Sequence, residues 1–161
     1  MRWLWVSVFI VAADQLTKFL AMEMLVLHQP VAVMPLLNMT LTFNPGAAFS
    51  FLGDAGGWQR WLFIGLAVVI SIVILVWLMR VPAKAKWLPV GLALVLGGAV
   101  GNLWDRITIG RVVDFIDVYY SSWHWPAFNL ADVFIVLGVA MILGAAMTLG
   151  AAILMQRVGT I

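Results

Sequence analysis

Four long apolar runs limit what this chain can fold into. They cover about residues 3–24, 58–79, 87–104 and 128–154, and about 20 apolar residues are needed for a helix to cross a bilayer. Only 10% of the 161 residues are charged, whereas a soluble domain has about 25%. We therefore predict a mainly α membrane protein with four transmembrane helices, folded as a single integral membrane domain over residues 1–161.

The first run is also compatible with a cleaved signal peptide. Arg2 precedes an apolar stretch, and small residues follow at Ala12 and Ala13, as they do before many cleavage sites. We favour a spanning helix, because the helical apolar pattern continues to residue 24 and no polar, exported domain follows it.

Two of the segments between the runs have the pattern of β-strands. Residues 25–57 contain the alternating sequence MTLTF, and residues 105–127 contain ITIGRVVDFIDVYY around a glycine turn. Alternation of apolar and polar residues favours strands with one buried face. We predict a small extramembrane antiparallel β-sheet that lies on the periplasmic, outer surface of the membrane.

The basic residues predict the orientation of the chain in the membrane. Short cytoplasmic loops carry an excess of lysine and arginine. With four spans, one side of the membrane holds only basic residues and no acid: Arg2, Arg80, Lys84, Lys86 and Arg157. Both termini are therefore expected in the cytoplasm, with the polar motifs near the outer face.

The composition argues against several kinds of chemistry. The chain has no cysteine, which excludes disulfides, thiol catalysis and cysteine-bound metals. His28 and His124 are isolated, and neither an H-E-x-x-H metal motif nor a G-x-S-x-G nucleophile motif is present. We expect neither a metal nor another cofactor. The net charge of +2 gives no indication of nucleic acid as a partner.

Two carboxylates next to apolar sequence are candidates for catalysis. Asp114 lies inside VVDFI, and Asp132 leads directly into the fourth apolar run. Charged groups at membrane depth are costly and are functional candidates by default. Two adjacent carboxyls do not both ionise easily, so one can keep a proton while the other activates a water. For Arg111 and Asp117, exposure to water is the simpler interpretation.

The spacing Asn-x-x-Asp occurs twice at this end of the protein, once from Asn102 to Asp105 and once from Asn129 to Asp132. In a helix, Asn102, Asp105 and the adjacent Arg106 would share one face, and we expect Arg106 to hold Asp105 or a substrate carbonyl. Local capping explains each unit alone, since asparagine and aspartate favour helix N-termini. Two such units in a nearly uncharged protein also suit a polar site.

Two further motifs add polar groups to the same end. Asp14 and Lys18 are spaced i, i+4 on the first run, so they could form a salt bridge or support a site built by later helices. Asn44, Pro45 and Gly46 have the composition of a tight turn, and the Asn44 amide offers donors and an acceptor. A plain β-turn explains the second motif equally well.

At five motifs the chain resembles the bacterial lipoprotein signal peptidase family, signal peptidase II. The matching sequences, in the family's order, are DQLTK (14–18), FNPGAAFSF (43–51), GGAVGNLWDR (97–106), GRVVDFIDV (110–118) and PAFNLAD (126–132). Each motif alone is weak, but together they are specific and span nearly the whole chain. The resemblance implies an inner-membrane aspartic peptidase that removes the signal peptide of a prolipoprotein on the amino side of a diacylglyceryl-modified cysteine.

The resemblance also implies roles for individual residues. The catalytic aspartates of the family fall on Asp114 and Asp132. The residues that support the site or bind substrate fall on Asp14, Asn44, Gly46, Asn102, Asp105, Arg106 and Asn129. The implied partners are the lipidated prolipoprotein, membrane lipid and the inhibitory cyclic peptide globomycin, and we expect a monomer.

From the residues alone, two other classes of function stay open. A small transporter could use carboxylates at membrane depth as a proton relay, although its polar groups should spread through the bilayer and here they gather on one side. A structural subunit that only binds partners is the other class, but it would not need two Asn-x-x-Asp units.

Overall fold

Four helices dominate the computed structural model, which describes residues 2–46, 56–82 and 84–158, with side chains described up to residue 148. The helices are α1 (Leu4–Met24), α2 (Trp58–Arg80), α3 (Trp87–Thr108) and α4 (Leu130–Val158). Each contains a stretch long and apolar enough to cross a membrane, which in α4 is Leu130–Thr148. The predicted four-helix membrane fold is confirmed. Residues 47–51 of the FNPGAAFSF motif lie outside the described residues.

A small antiparallel sheet joins the segments that follow α1 and α3. Its strands are β1 (Val31–Met34), β2 (Leu37–Asn44), β3 (Val112–Tyr120) and β4 (Trp123–His124), paired in that order. The MTLTF segment lies in β2, so the predicted sheet is confirmed. The central pairing of β2 with β3 brings together two parts of the chain that are distant in sequence. This pairing holds the turn after β2 against β3, the strand that carries Asp114.

The strand-like pattern ITI before the Gly110 turn is misleading. Ile107 and Thr108 form the last turn of α3, and the amide groups of Ile109 and Gly110 both donate to the Asp105 carbonyl. Gly110 has a φ of 81°, the left-handed conformation that commonly ends a helix at glycine. The helix therefore continues past residue 104, and this extra turn places Asp105 and Arg106 on α3 rather than in a loop.

α3 lies at the centre of the bundle and packs against each of the other helices. Its buried surface is rich in small residues, as predicted for close helix packing. A Cβ atom at Gly98 would overlap the carbonyl oxygen of Ala131 on α4, and one at Gly101 would lie 2.6 Å from Asp14 Oδ2 on α1. These glycines let α1 and α4 approach α3 closely enough for their polar side chains to meet.

Substitution of Gly98 by alanine tests this packing. The added methyl would lie 2.7 Å from Ile135 Cγ1 as well as overlapping Ala131, so α4 must move away. We expect Gly98→Ala to cost about 1–3 kcal/mol of unfolding free energy, as overpacking does, measured by thermal denaturation in detergent. Gly65→Ala is the matched control, because nothing lies within 4 Å of a Cβ at that helical position. Equal stability of the two variants would contradict the close approach.

Candidate active site

Asp114 and Asp132 line the same cavity, which has a volume of about 500 Å³. The cavity lies where the end of α3, the start of α4 and strands β2 and β3 meet. Its polar lining comes from Asn44, Asn102, Arg106, Asp114 and Asp132, and its apolar lining from Val112, Trp125, Pro126, Ala127, Phe128, Val133, Ile135, Val136 and Leu137. The two predicted catalytic carboxyls therefore share one polar pocket beside an apolar wall of α4.

Asn129 connects the two carboxyls. Its side-chain Nδ2 lies 2.7 Å from Asp114 Oδ1, to which it donates, and its backbone amide donates to Asp132 Oδ2 at 3.2 Å. In return, the Asp132 amide donates to Asn129 Oδ1 at 3.0 Å. This reciprocal pair caps the start of α4 in the manner of a capping box. The bonds that cap α4 therefore also connect this Asn-x-x-Asp unit to both candidate carboxyls.

Asn102 holds the other side of Asp132. α3 is helical through this region, so Asn102, Asp105 and Arg106 do share one face as predicted. The Asn102 Nδ2 group donates to Asp132 Oδ1 at 2.8 Å, while Asn102 Oδ1 accepts from Asn129 Nδ2 at 3.1 Å. Both Asn-x-x-Asp units consequently supply groups to one hydrogen-bond network.

The turn after β2 approaches the site from the sheet. Asn44 pairs with Val112 and Thr42 with Asp114, so Asn44 is the diagonal neighbour of Asp114 on the same face of the sheet. Asn44 Nδ2 donates to Asp114 Oδ2 at 3.2 Å, and Asn44 Oδ1 accepts from the Gly46 amide at 2.9 Å. The motif is thus both a side-chain-stabilised turn and a hydrogen-bond partner of the candidate catalytic carboxyl.

A second, fully buried layer of charge lies behind the cavity. Lys18 is 1% exposed and Asp14 0%. The Lys18 ammonium lies 2.8 Å from Asp14 Oδ2, 2.9 Å from Asp105 Oδ2 and 2.8 Å from Asn102 Oδ1. An ammonium has three donors, and each one here has an acceptor. Sequence reasoning pairs Lys18 with Asp14 but misses its contacts on α3, although an isolated lysine within an apolar run is itself a signal of burial with partners.

Each carboxylate of this layer also binds a backbone amide of another element. Asp14 Oδ1 accepts from the Ala131 amide of α4 at 3.0 Å, and Asp105 Oδ2 accepts from the Val113 amide of β3 at 3.1 Å. Val113 and Ala131 immediately precede Asp114 and Asp132. Asp14 and Asp105 therefore fix the backbone next to both candidate catalytic residues.

Arg106 makes different contacts from those expected. The sequence suggests that it holds Asp105 or a substrate carbonyl. Asp105 is paired with Lys18 instead, and the contact with a substrate carbonyl stays a prediction. Arg106 donates to the carbonyl oxygen of Gly46 at 2.9 Å and to that of Asn102 at 3.3 Å, and its guanidinium lies 5.3 Å from the centre of the Phe63 ring. Arg106 therefore joins α3 to the turn after β2 and lines the cavity with a positive charge.

Asp117 also departs from expectation. Its sequence context favours exposure to water, but it is only 5% exposed. It accepts a hydrogen bond from Asn38 Nδ2 at 3.0 Å and contacts His124 Nδ1 at 2.8 Å. Its partners lie on β2 and β4, so its burial comes from the sheet pairing and cannot be deduced from its local sequence. Arg111 is exposed, as expected.

The electrostatics of the cavity distinguish Asp114. Burial, together with the nearby charge of Asp132, raises the pKa of the Asp114 carboxyl to about 7, against the hydrogen bonds from Asn44 and Asn129, which lower it. A carboxyl with this pKa keeps its proton in part at neutral pH. Among the described residues, no group of three or more histidine, aspartate or glutamate side chains could hold a metal ion.

Comparison with known proteins decides the family. Residues 6–148 match the family described as Signal peptidase (SPase) II. The chain belongs to the signal peptidase II family. This confirms the resemblance drawn from the five motifs, and it makes the chain a peptidase of bacterial membranes rather than a transporter or a structural subunit.

Individual relatives agree with this assignment. A lipoprotein signal peptidase of Acinetobacter baylyi is 55% identical over 136 residues, which are 84% of this chain and 76% of the relative. One from Pseudomonas aeruginosa is 51% identical over 138 residues, or 84% and 82% of the two chains. A solved structure described as a bacterial membrane enzyme superposes with a TM-score of 0.82 at 30% identity, covering 91% of this chain and 88% of its own.

Replacement of Lys18 by methionine tests the buried charge layer. The change leaves Asp14 and Asp105 without their shared cation, and removal of one partner of a buried ion pair costs about 3–5 kcal/mol. We expect Lys18→Met to lower the unfolding free energy in detergent by about that amount. The control is Lys84→Met, at an exposed position, which should change stability by less than about 0.5 kcal/mol. A Lys18→Met protein as stable as this control would show that the layer is dispensable.

Proposed function

We propose that this protein is an aspartic endopeptidase that removes the signal peptide from diacylglyceryl-modified prolipoproteins, cutting on the amino side of the lipidated cysteine. Family membership supports the substrate class, since the relatives are named lipoprotein signal peptidases. The observation that carries the catalytic type is the placement of Asp114 and Asp132 in one cavity, tied to each other through Asn129.

The mechanism uses a single proton shared between the two carboxyls. Asp132 takes a proton from a water molecule as that water attacks the carbonyl carbon of the scissile peptide bond, while Asp114 donates its proton to the carbonyl oxygen. Collapse of the resulting tetrahedral diol returns a proton to Asp114, and Asp132 gives its proton to the departing amine. The raised pKa of Asp114 supports its role as the initial acid.

The surrounding polar residues position the dyad and the peptide. Asn129 donates a hydrogen bond to Asp114 Oδ1 and Asn102 donates one to Asp132 Oδ1, which holds the two carboxyls in place. Asn44 and Gly46 form a turn at the cavity rim, where an extended substrate could be clamped, and Arg106 supports this turn. Asp14 and Asp105 lie behind the cavity, where they bind Lys18 and the backbone amides of the residues that precede Asp132 and Asp114.

The apolar side of the cavity suits a lipid chain. Val133, Val136 and Leu137 of α4 line it beside Phe128, and Leu137 and Val136 are half or more exposed, so this wall is continuous with the bilayer. We place the diacylglyceryl group of the substrate there. An extended cyclic peptide such as globomycin would fill the same cavity against the dyad and would thereby block cleavage.

The proposed setting is the inner membrane, with both termini in the cytoplasm and the dyad near the outer face. Arg2, Arg80, Lys84 and Lys86 lie at the opposite end of the bundle from Asp114 and Asp132, which supports this orientation by the excess of basic residues in cytoplasmic loops. We propose that the monomer is active, because both carboxyls come from one chain.

Neutralising either member of the dyad tests the catalytic assignment. We expect Asp114→Asn and Asp132→Asn each to lower kcat/KM for a diacylglyceryl-modified prolipoprotein on the order of 10³-fold or more, as loss of a catalytic group does. Asp117→Asn is the matched control, since Asp117 is a buried aspartate on the same strand but does not line the cavity. It should retain activity within about tenfold. Full activity in either dyad variant would refute the assignment, as would an equal loss in the control.

The pH dependence of cleavage tests the protonation of Asp114. Its pKa is raised to about 7, so the proton that the mechanism requires is present below that pH and is lost as the pH rises through it. We expect kcat/KM to fall above about pH 7, approaching tenfold per pH unit. Asn44→Ala removes a hydrogen bond that lowers this pKa. The alkaline limb of the plot of kcat/KM against pH should therefore move to higher pH in this variant, even though its maximal rate falls.

Asn38→Ala serves as the control for the pH experiment. Asn38 donates to Asp117 rather than to Asp114, so the alkaline limb should stay where it is in the unmodified protein. A limb that moves to lower pH in Asn44→Ala, or that shifts equally in both variants, would contradict the assignment of the titrating group to Asp114.

A further inference from the structure

A second cavity lies at the opposite end of the bundle from the dyad. Its volume is about 530 Å³, comparable to that of the dyad cavity. It is enclosed by the start of α1, the end of α2 and the start of α3, and its lining residues are Arg2, Trp3, Leu4, Leu78, Met79, Val81, Pro82 and Pro89. We call it the basic-end cavity. Among the described residues its lining is apolar except for one charged side chain, that of Arg2.

The charged residues that the structure describes around the basic-end cavity are all basic. Arg80, Lys84 and Lys86 follow α2 or precede α3, and all three are exposed together with Arg2. None of these four cations forms an ion pair with a carboxylate in the described part of the chain, whose salt bridges involve only Lys18 and His124. A group that enters this cavity therefore meets Arg2, with three more basic side chains nearby, and no acid among the described residues that line it.

Two helix N-termini and one helix C-terminus border this cavity. α1 and α3 begin at this end with Trp3 and Lys86 as their N-cap residues, neither of which makes a side-chain cap bond, and neither first turn carries an acid. The amide groups of a helix N-terminus and its dipole favour an anion. Both N-termini therefore offer amide groups without a side-chain acceptor, while the C-terminal end of α2, which lines the same cavity, has the opposite dipole.

We propose that the basic-end cavity binds one anionic glycerophospholipid of the surrounding bilayer. The lipid phosphate would lie at the Arg2 guanidinium, and an acyl chain would lie against Leu78 and Met79. Basic pockets between transmembrane helices are a known form of site for anionic lipid headgroups. No part of the proposed peptidase reaction is needed for this binding.

The apolar lining favours a membrane lipid over a soluble anion. Of the lining residues that the structure describes, only Arg2 is charged, and the remainder offer hydrocarbon surface that a free phosphate cannot use. Met79 is 56% exposed and the nearby Trp87 is 72% exposed, so this end of the bundle presents apolar side chains where a bilayer would contact it. Trp3 lies beneath the Arg2 guanidinium at 4.9 Å from ring centre to Cζ, which fits an interfacial position.

Lipid titration of the purified protein tests the proposal. Delipidated protein in a zwitterionic detergent would be titrated with phosphatidylglycerol or phosphatidylcholine, and bound lipid counted by native mass spectrometry. We expect one saturable phosphatidylglycerol per chain and at least fivefold weaker binding of phosphatidylcholine. Arg2→Gln should weaken phosphatidylglycerol binding about fivefold, the factor expected for loss of one basic group near a lipid phosphate, and Arg2→Lys should retain most of it.

Two controls separate a defined site from diffuse attraction. Lys84→Gln removes a nearby exposed charge that does not line the cavity, and Arg111→Gln removes an exposed charge at the dyad end. Both should change binding by less than twofold. Equal weakening by Arg2→Gln and either control would overturn the proposal. So would equal binding of the two lipids, or displacement of phosphatidylglycerol by millimolar inorganic phosphate, which would show a site for soluble anions.

Discussion

The burial of one lysine between two aspartates is the interaction on which the rest of this site depends. Lys18, Asp14 and Asp105 are all nearly inaccessible, and charges removed from water are tolerated only when paired and hydrogen-bonded. Each group uses its remaining bonding capacity on another element: Asp14 binds the backbone of α4, Asp105 binds that of β3, and Lys18 binds Asn102. The need to satisfy these charges therefore fixes the helices and the sheet relative to each other.

The same arrangement explains how Asp114 and Asp132 can be placed precisely relative to each other although they come from different elements. Asp114 lies on a strand and Asp132 on a helix, and the residue before each one is held by a buried carboxylate. Gly98 and Gly101 make this possible, because their lack of side chains brings α1 and α4 against α3. Close packing sets the distances, the buried charges set the orientation, and Asn102 and Asn129 transmit that orientation to the two candidate catalytic carboxyls.

Much of this fold and site is predictable from the sequence. The four helices follow from apolar length, which the bilayer dictates, and β2 and β3 follow from period-two alternation. Asp114 and Asp132 are recognisable as candidates because each carboxylate lies beside an apolar run, where a charge is costly. Where the predictions are wrong, the determining contacts are tertiary. Asp117 is buried only because β2 and β4 supply its partners.

The contacts of Arg106 and Lys18 likewise cannot be predicted from the local sequence. Spacing shows that Asn102, Asp105 and Arg106 can share a helix face, but it does not say which element faces them. Arg106 binds the turn after β2, and Asp105 forms an ion pair with Lys18 of α1. Helix continuation to Thr108 is also hidden, since ITI alternates like a strand and only the left-handed conformation of the following glycine shows where the helix ends.

Mapping the cleavage position on a defined substrate tests the central claim most directly. Purified protein in detergent would be given one prolipoprotein in two forms, with and without the diacylglyceryl group on its cysteine, and the products identified by mass spectrometry. We predict one cut, immediately before the modified cysteine, that is blocked by globomycin and absent for the unmodified form. Cleavage at another bond, equal cleavage of both forms, or no cleavage by folded protein would contradict it.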